Sequence, residues 1–140
     1  MEPAPKWYLP VAIAALLWNL LGCAAYLMDV MMTPEQLAAM SAEQQALYAS
    51  RPGWAVAATA VAVWGGAAGC IALILRRRIA LPLLVASLVG ILVQDFGLFV
   101  LAKGASLAGP VAVAMQGVVL LVGIGLVLLA RRAAAHGWIR

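Results

Sequence analysis

Charged side chains are scarce in this sequence. Only nine Lys and Arg and five Asp and Glu occur among 140 residues, whereas 66% of the residues are hydrophobic. An ordinary soluble domain is about half apolar and about a quarter charged, so this chain has too little polar surface to cover a water-soluble fold. The composition therefore predicts an integral membrane protein, with the lipid bilayer as its surroundings.

Histidine and cysteine are nearly absent as well, which excludes several kinds of site. His136 is the single histidine, so the sequence lacks the residues for a catalytic triad, a histidine metal site or a pair of haem ligands. Cys23 and Cys70 lie in apolar runs that supply no imidazole or carboxylate partners, and we interpret both as packing residues. We therefore expect no enzymatic activity, no metal and no cofactor.

Four apolar runs are each long enough to cross a bilayer as a helix, for which about 20 residues and about 30 Å are needed. The predicted spans cover residues 7–31, 54–75, 79–101 and 108–130, followed by a tail at 131–140. We expect the fourth helix to begin near Pro110, since proline is favoured in the first helical turn. The predicted fold class is therefore all-α: a polytopic bundle of four transmembrane helices that forms a single membrane domain.

The basic residues predict how the chain is oriented. Seven of the nine fall on one side of the predicted spans: Lys6, Arg76, Arg77, Arg78, Arg131, Arg132 and Arg140. Arg51 and Lys103 are left for the other side. Because basic loops remain in the cytoplasm, we expect a bacterial inner-membrane protein with both termini cytoplasmic. The net charge of +4 is thus a sign of topology, and we expect no nucleic-acid partner.

The segment 33–50, between the first two spans, is the only one with soluble character. Residues 33–36 (Thr-Pro-Glu-Gln) combine an N-cap, a proline at the first helical position and a capping-box glutamine, and residues 41–44 (Ser-Ala-Glu-Gln) repeat the signature. We expect a short amphipathic helix in the periplasm, or two. It either packs on its own spans, docks a partner or gates a cavity between the helices.

Asp95 is the acidic residue that lies away from the ends of a predicted span, where a carboxylate costs about 2.5 to 3.5 kcal/mol. Gln94 adjoins it, and Gln116 and Tyr26 fall at comparable depth in the fourth and first spans. We expect these four side chains to form an intramembrane polar layer, with Asn19 bonding between helices nearer the middle of the first span. Three roles for Asp95 remain open: a structural residue, a proton or solute site, and a contact to another subunit.

Small residues at four-residue spacing predict where helices approach closely. In the second span the pairs are Gly65 with Gly69 and Ala62 with Gly66, and in the third span the pair is Ala86 with Gly90. These faces serve either packing within one bundle or a contact to a second copy or another membrane subunit.

Several short motifs resemble a family of small proteobacterial four-helix membrane proteins that are commonly labelled "sugar transporter". They include residues 17–22 (Leu-Trp-Asn-Leu-Leu-Gly), 52–55 (Pro-Gly-Trp-Ala), 65–70 (Gly-Gly-Ala-Ala-Gly-Cys) and the ending 137–140 (Gly-Trp-Ile-Arg). The resemblance implies four spans and a bacterial inner membrane. Asp95 departs from the pattern, in which an uncharged residue follows Val-Gln.

Two functions are compatible with these features. The first is a non-enzymatic accessory subunit that stabilises a larger membrane assembly through its helix faces and loop. The alternative is a carrier for a small, sugar-like solute or a proton-coupled carrier, working as an oligomer, with Asn19, Asp95 and Gln116 along the path. Polar side chains that face a cavity would favour the carrier.

Overall fold

The structure, a computed structural model, describes residues 3–50, 53–96 and 104–140. The helices in these ranges are α1 (Tyr8–Val30), α2 (Pro34–Ala38), α3 (Ala42–Ser50), α4 (Gly53–Ile74), α5 (Ala80–Asp95) and α6 (Gly104–Ala135). No strand occurs within the three described ranges. The prediction of an all-α chain is therefore confirmed for this part of the sequence.

Three of the helices are long and apolar enough to cross a membrane: α1, α4 and the part of α6 from Val113 to Ala135. Each has 22 or 23 residues, which at 1.5 Å per residue gives about 33 to 35 Å. The apolar helix α5 has 16 residues and a length of about 24 Å. The end of the predicted third span, residues 97–101, lies outside the described residues.

The start of α6 differs from the prediction. The helix begins at Gly104, six residues before Pro110, and it continues to Ala135 rather than ending near residue 130. A proline removes only one backbone hydrogen bond from a helix, whereas an open loop in apolar surroundings leaves several polar backbone groups without partners. The helix therefore continues through the proline.

The segment between α1 and α4 contains two short helices, and its first capping box is confirmed. The Gln36 backbone N–H donates to Thr33 Oγ1 at 3.2 Å, and the Thr33 N–H donates to Gln36 Oε1 at 2.9 Å. The second signature begins at Ser41, directly before α3, and continues into the first turn of that helix. Between the two helices, Gln45 Nε2 donates to the Met40 carbonyl oxygen at 3.0 Å, which provides a partner at the break.

Helix α4 is the centre of the fold, with α1 and α5 packed on it and α6 packed on α5. Its buried face consists largely of alanine and glycine: Ala55, Ala58, Ala62, Gly66, Ala67, Gly69 and Ala72. Large apolar side chains point outward instead, and Leu21, Met28 and Leu121 are 70%, 74% and 69% exposed. A small-residue interior and an apolar exterior are what helices surrounded by lipid require.

The loop after α4 and the tail after α6 meet at one end of the bundle, here called the arginine end (Lys6, residues 76–78, 131–132 and 138–140). After α6, Gly137 adopts a left-handed φ of 75°, and the Trp138 N–H donates to the Ala133 carbonyl oxygen at 2.8 Å. The chain then runs beside the loop, where the Arg140 N–H donates to the Arg76 carbonyl oxygen at 3.0 Å. The predicted tail is thus helical at first and then packed against the bundle.

Candidate functional site

A cavity of about 500 Å³ lies between α1, α4, α5 and α6. It exists because α1 and α6 pack against the central pair α4 and α5 but make few contacts with each other in the described residues. Most of its lining is apolar. Its polar lining side chains are Asn19, Tyr26, Asp29, Thr59, Ser87, Gln94 and Gln116. Four of the five residues predicted for the intramembrane polar set therefore face one cavity.

Gln94 connects three of the helices through its side-chain amide. Its Nε2 donates to Gln116 Oε1 on α6 at 3.1 Å, and its Oε1 lies 2.5 Å from the Thr59 hydroxyl on α4. The Thr59 hydroxyl is also 3.0 Å from the Ala55 carbonyl oxygen, so its one proton is offered to two acceptors. The result is a chain of polar contacts across α4, α5 and α6 at one depth of the bundle.

Asp95 does not line the cavity, and Gln94 occupies the place expected for it beside Gln116. The two residues are neighbours on α5 and point about 100° apart around the helix, so only one of them can face α6. Asp95 is partly exposed, and its Oδ1 lies 3.5 Å from Gln94 Nε2. No hydrogen bond among the described residues joins it to Tyr26, which lines the cavity from α1.

Asn19 lies between α1 and α4, as expected for a residue that bonds between helices. Its Nδ2 donates to the Ala15 carbonyl oxygen at 2.8 Å and lies 3.6 Å from Cys70 Sγ on α4. A Cβ atom added to Gly66 would be 2.9 Å from Asn19 Cγ and closer still to its carboxamide oxygen. Only glycine at position 66 therefore leaves room for this side chain beside the cavity.

The glycine and alanine pairs contribute unequally to the close approach of α4 and α5. A Cβ atom on Gly90 would be 2.7 Å from the Ala58 carbonyl oxygen, and one on Gly69 would be 2.7 Å from Leu84 Cγ. Gly65 is less crowded, with Leu83 O at 3.5 Å as its nearest neighbour. Ala62, predicted as one of the pairs, is buried at the same contact.

Ala86, the partner predicted for Gly90, is exposed. Its neighbour Ser87 faces α4 instead and donates a hydrogen bond to the Ala62 carbonyl oxygen at 2.5 Å. Residues four positions apart in a helix differ by 400° about its axis, which is 40° more than a full turn. An alanine four residues from a buried glycine can therefore lie outside the contact between the helices. The close face of α5 is therefore built from Ser87 and Gly90.

The arginines predicted to set the topology are all exposed at the arginine end: Arg76, Arg77, Arg78, Arg131 and Arg132. Two of them lie over aromatic rings, with Arg76 Cζ 5.5 Å from the centre of the Tyr8 ring and Arg132 Cζ 5.8 Å from that of Trp138. Such cation–π contacts hold the positive charges beside the helix ends.

A buried aromatic contact joins α1 to the end of α6. Tyr8 is fully buried, donates to the Leu73 carbonyl oxygen of α4 at 2.7 Å, and meets the Trp138 ring edge-on at 5.9 Å. The sequence alone does not predict this contact, because the two residues lie far apart in the chain.

Thr59 and Ser87 were also missed as members of the polar site. A single Ser or Thr in an apolar run does not indicate a polar site by itself. Its hydroxyl can donate to a carbonyl oxygen of its own helix, so it is tolerated at any position of a membrane helix. One feature in the sequence does indicate Thr59: it lies seven residues, or two turns, before Gly66 and so shares the small-residue face of α4.

The site contains amide and hydroxyl groups that both donate and accept hydrogen bonds, with Asp29 as the one ionisable carboxyl group in its lining. Within the described ranges, no three His, Cys, Asp or Glu side chains come together in a way that would hold a metal ion. Apart from Asp29, the polar groups that the described residues present to the cavity are neutral donors and acceptors of hydrogen bonds.

Comparison with protein-family profiles, with characterised proteins and with solved structures finds no match to this chain. The resemblance to small four-helix proteins labelled "sugar transporter" accordingly stays a prediction.

Proposed function

We propose that this chain is a bacterial inner-membrane carrier that binds a small, uncharged, sugar-like solute between its helices, without enzymatic activity and as an oligomer. The observation that carries the proposal is the cavity, in which side chains from three helices present Asn19, Gln94 and Gln116. A cavity of this size lies within the range of about 300 to 1,000 Å³ that small-molecule sites occupy.

The chemistry of the lining favours a neutral polyhydroxy compound. Carboxamides donate and accept, so they match hydroxyl groups that do both, and they bring no charge that would require an ionic partner. The apolar remainder of the lining, including Trp18, Val63 and Ile91, matches the carbon skeleton of such a solute.

The proposed membrane placement has four spans: the three helices of crossing length and one more that contains α5. Residues 79–101 form an apolar run of 23 residues, of which α5 is the first part, and this length suits a complete crossing. With seven of nine basic residues at the arginine end, that end faces the cytoplasm, and α2 and α3 lie on the periplasmic side.

Solute binding is tested with purified protein in detergent and a panel of sugars and polyols, by isothermal titration calorimetry. Gln116→Leu removes a carboxamide from the cavity at nearly constant volume, and we expect it to weaken binding about 10-fold or more, because a buried polar group of the solute loses its partner. Met115→Leu is the matched control, since it introduces the same side chain at the neighbouring lining position. Equal affinities for both variants, or no binding of any compound by the wild type, would reject the carrier.

A second candidate is an accessory subunit of a larger membrane assembly. It is favoured by Asp95, which is partly exposed outside the cavity and, among the described residues, makes one long contact, with Gln94. A carboxylate on the outer surface of an apolar helix is costly unless another polar group reaches it, and a second subunit can supply that group.

The accessory function predicts that a membrane complex co-purifies with the chain in fixed ratio, and that Asp95→Leu disrupts this association. Gln94→Leu, at the adjacent cavity-facing position, is the control and should leave the association intact. If both variants retain the same partner, Asp95 is not the contact.

A further inference from the structure

The arginine end carries more positive charge than its folding contacts use. Arg77, Arg78 and Arg131 are exposed, and the hydrogen bonds near them involve backbone atoms. The Arg78 N–H donates to the Arg140 carbonyl oxygen at 2.6 Å, which holds the tail against the loop and leaves the guanidinium groups outside. No hydrogen bond or ion pair to another described residue uses these three guanidinium groups.

The described acidic side chains do not balance this charge. Asp29 lies at the far end of α1, Glu35 and Glu43 lie on α2 and α3, and Asp95 ends α5, all at the opposite end of the bundle. The basic surface is therefore uncompensated by any Asp or Glu in the described ranges. An anionic partner fits it by charge.

The surroundings of the arginines restrict what that partner is. Leu75 and Ile79 flank the three consecutive arginines directly and are 64% and 59% exposed. A guanidinium row bordered by bare apolar side chains matches a molecule with an anionic head and hydrocarbon tails. A free phosphate or a nucleic acid would contact the arginines alone, whereas a phospholipid contacts the arginines and the adjoining leucine and isoleucine with one molecule.

Side-chain contacts also join the separate segments that form this surface. Arg76 lies over the Tyr8 ring, Tyr8 and Trp7 each meet Trp138 at 5.9 Å, and Arg132 lies over Trp138. The loop, the start of α1 and the end of α6 thus form one unit, which reduces the entropy lost when a ligand binds.

We propose that the arginine end binds the phosphate group of an anionic phospholipid, with Arg77 and Arg78 contacting the headgroup and Leu75 and Ile79 contacting the acyl chains. The proposal is independent of solute binding in the cavity. It assigns to these residues a specific lipid contact in addition to their effect on topology.

The test uses the full chain in bilayer nanodiscs. Bromine-labelled phosphatidylcholine quenches tryptophan fluorescence, and added phosphatidylglycerol displaces it if it binds more tightly. The variant Arg77→Gln/Arg78→Gln removes two cations without touching the backbone contacts, whereas Arg51→Gln/Lys103→Gln removes two cations elsewhere in the sequence. We expect the first variant to lower the preference for phosphatidylglycerol by roughly 10- to 30-fold and the second to leave it within about 2-fold.

Two further measurements separate lipid from other anions. The preference should fall as salt rises from 0.05 to about 0.5 M, since exposed charges are screened. Inorganic phosphate at millimolar concentration should not displace the labelled lipid, because it covers no apolar surface. Equal losses in the two double variants, or displacement by inorganic phosphate alone, would overturn the proposal.

Discussion

Single residues decide how closely α4 and α5 approach. At Gly90 the neighbours are backbone atoms of Ala58 and Ala62, which cannot rotate out of the way as a flexible side chain can. At Gly117 and Gly125 on α6, in contrast, an added Cβ would meet no atom of the described residues within 4 Å, apart from the helix's own local backbone and the adjoining residues. The same residue type is thus required in one helix and replaceable in another.

Gly90→Ala is therefore expected to lower the free energy of unfolding by about 1 to 3 kcal/mol, because the helices must separate to admit the methyl group. Unfolding in mixed micelles with increasing dodecyl sulfate provides the measurement. Gly117→Ala is the control and should be neutral or stabilising by up to about 1 kcal/mol, since alanine is the better helix former. Similar losses for both variants would mean that the close approach at Gly90 is absent.

At the scale of single elements, the helix ends at the arginine end are made by two related turns. After α4, the Arg77 N–H donates to the Ala72 carbonyl oxygen at 2.8 Å, and Arg76 takes the left-handed position with a φ of 58°. After α6, Gly137 takes the equivalent position. An arginine there costs about 1 to 2 kcal/mol in backbone strain, and its cation–π contact with Tyr8 offsets part of this.

This geometry predicts an unusual order of stabilities at position 76. Arg76→Gly removes the cation–π contact with Tyr8 but also relieves the backbone strain, so its free energy of unfolding should stay near that of the wild type. Arg76→Ala removes the contact and keeps the strain, so it should be about 1 kcal/mol less stable than Arg76→Gly. Thermal unfolding in detergent compares them. Arg77 does not have a positive φ, so Arg77→Gly should be no more stable than Arg77→Ala. If glycine is more stable than alanine at both positions, or at neither, Arg76 is not in the left-handed conformation.

In the molecule as a whole, the hydrogen bonds from Thr59 through Gln94 to Gln116 fix how α4, α5 and α6 are rotated and aligned relative to one another. Apolar packing between membrane helices has little directional preference, so hydrogen bonds at one depth determine which rotations of the helices are allowed. The same chain borders the cavity, and its loss would alter stability and solute binding together.

A double-mutant cycle measures the coupling within this chain. Thr59→Val and Gln94→Leu, singly and combined, should give a coupling energy of about 0.5 to 1.5 kcal/mol in dodecyl sulfate unfolding, within the range found for hydrogen bonds between membrane helices. Thr59→Val combined with Asn19→Leu is the control cycle, since these residues share no hydrogen bond among those described, and its coupling should lie near zero. A near-zero value in the first cycle would show that Thr59 and Gln94 do not interact.

Much of the fold was predictable from local sequence, and part of the site was not. Apolar run lengths located α1 and α4 to within a residue or two, and the capping box located the start of α2. The start of α6 was missed because a proline signal was given more weight than the need to pair backbone groups in apolar surroundings. Gln94 was placed beside Asp95, but depth along a helix does not say which of two neighbours faces α6.

Local features of the sequence predict that the chain is apolar and helical, where its crossing-length helices lie, and that its basic residues collect in a few segments. These properties follow from composition and from periodicities within about four residues. Three other features become visible in the packed structure alone: α1 and α6 enclose a cavity against α4 and α5, Gln94 rather than Asp95 faces it, and Tyr8, Arg76 and Trp138 meet at one end. Those contacts depend on how each helix is rotated about its axis, which is set by hydrogen bonds and close packing between residues far apart in the chain.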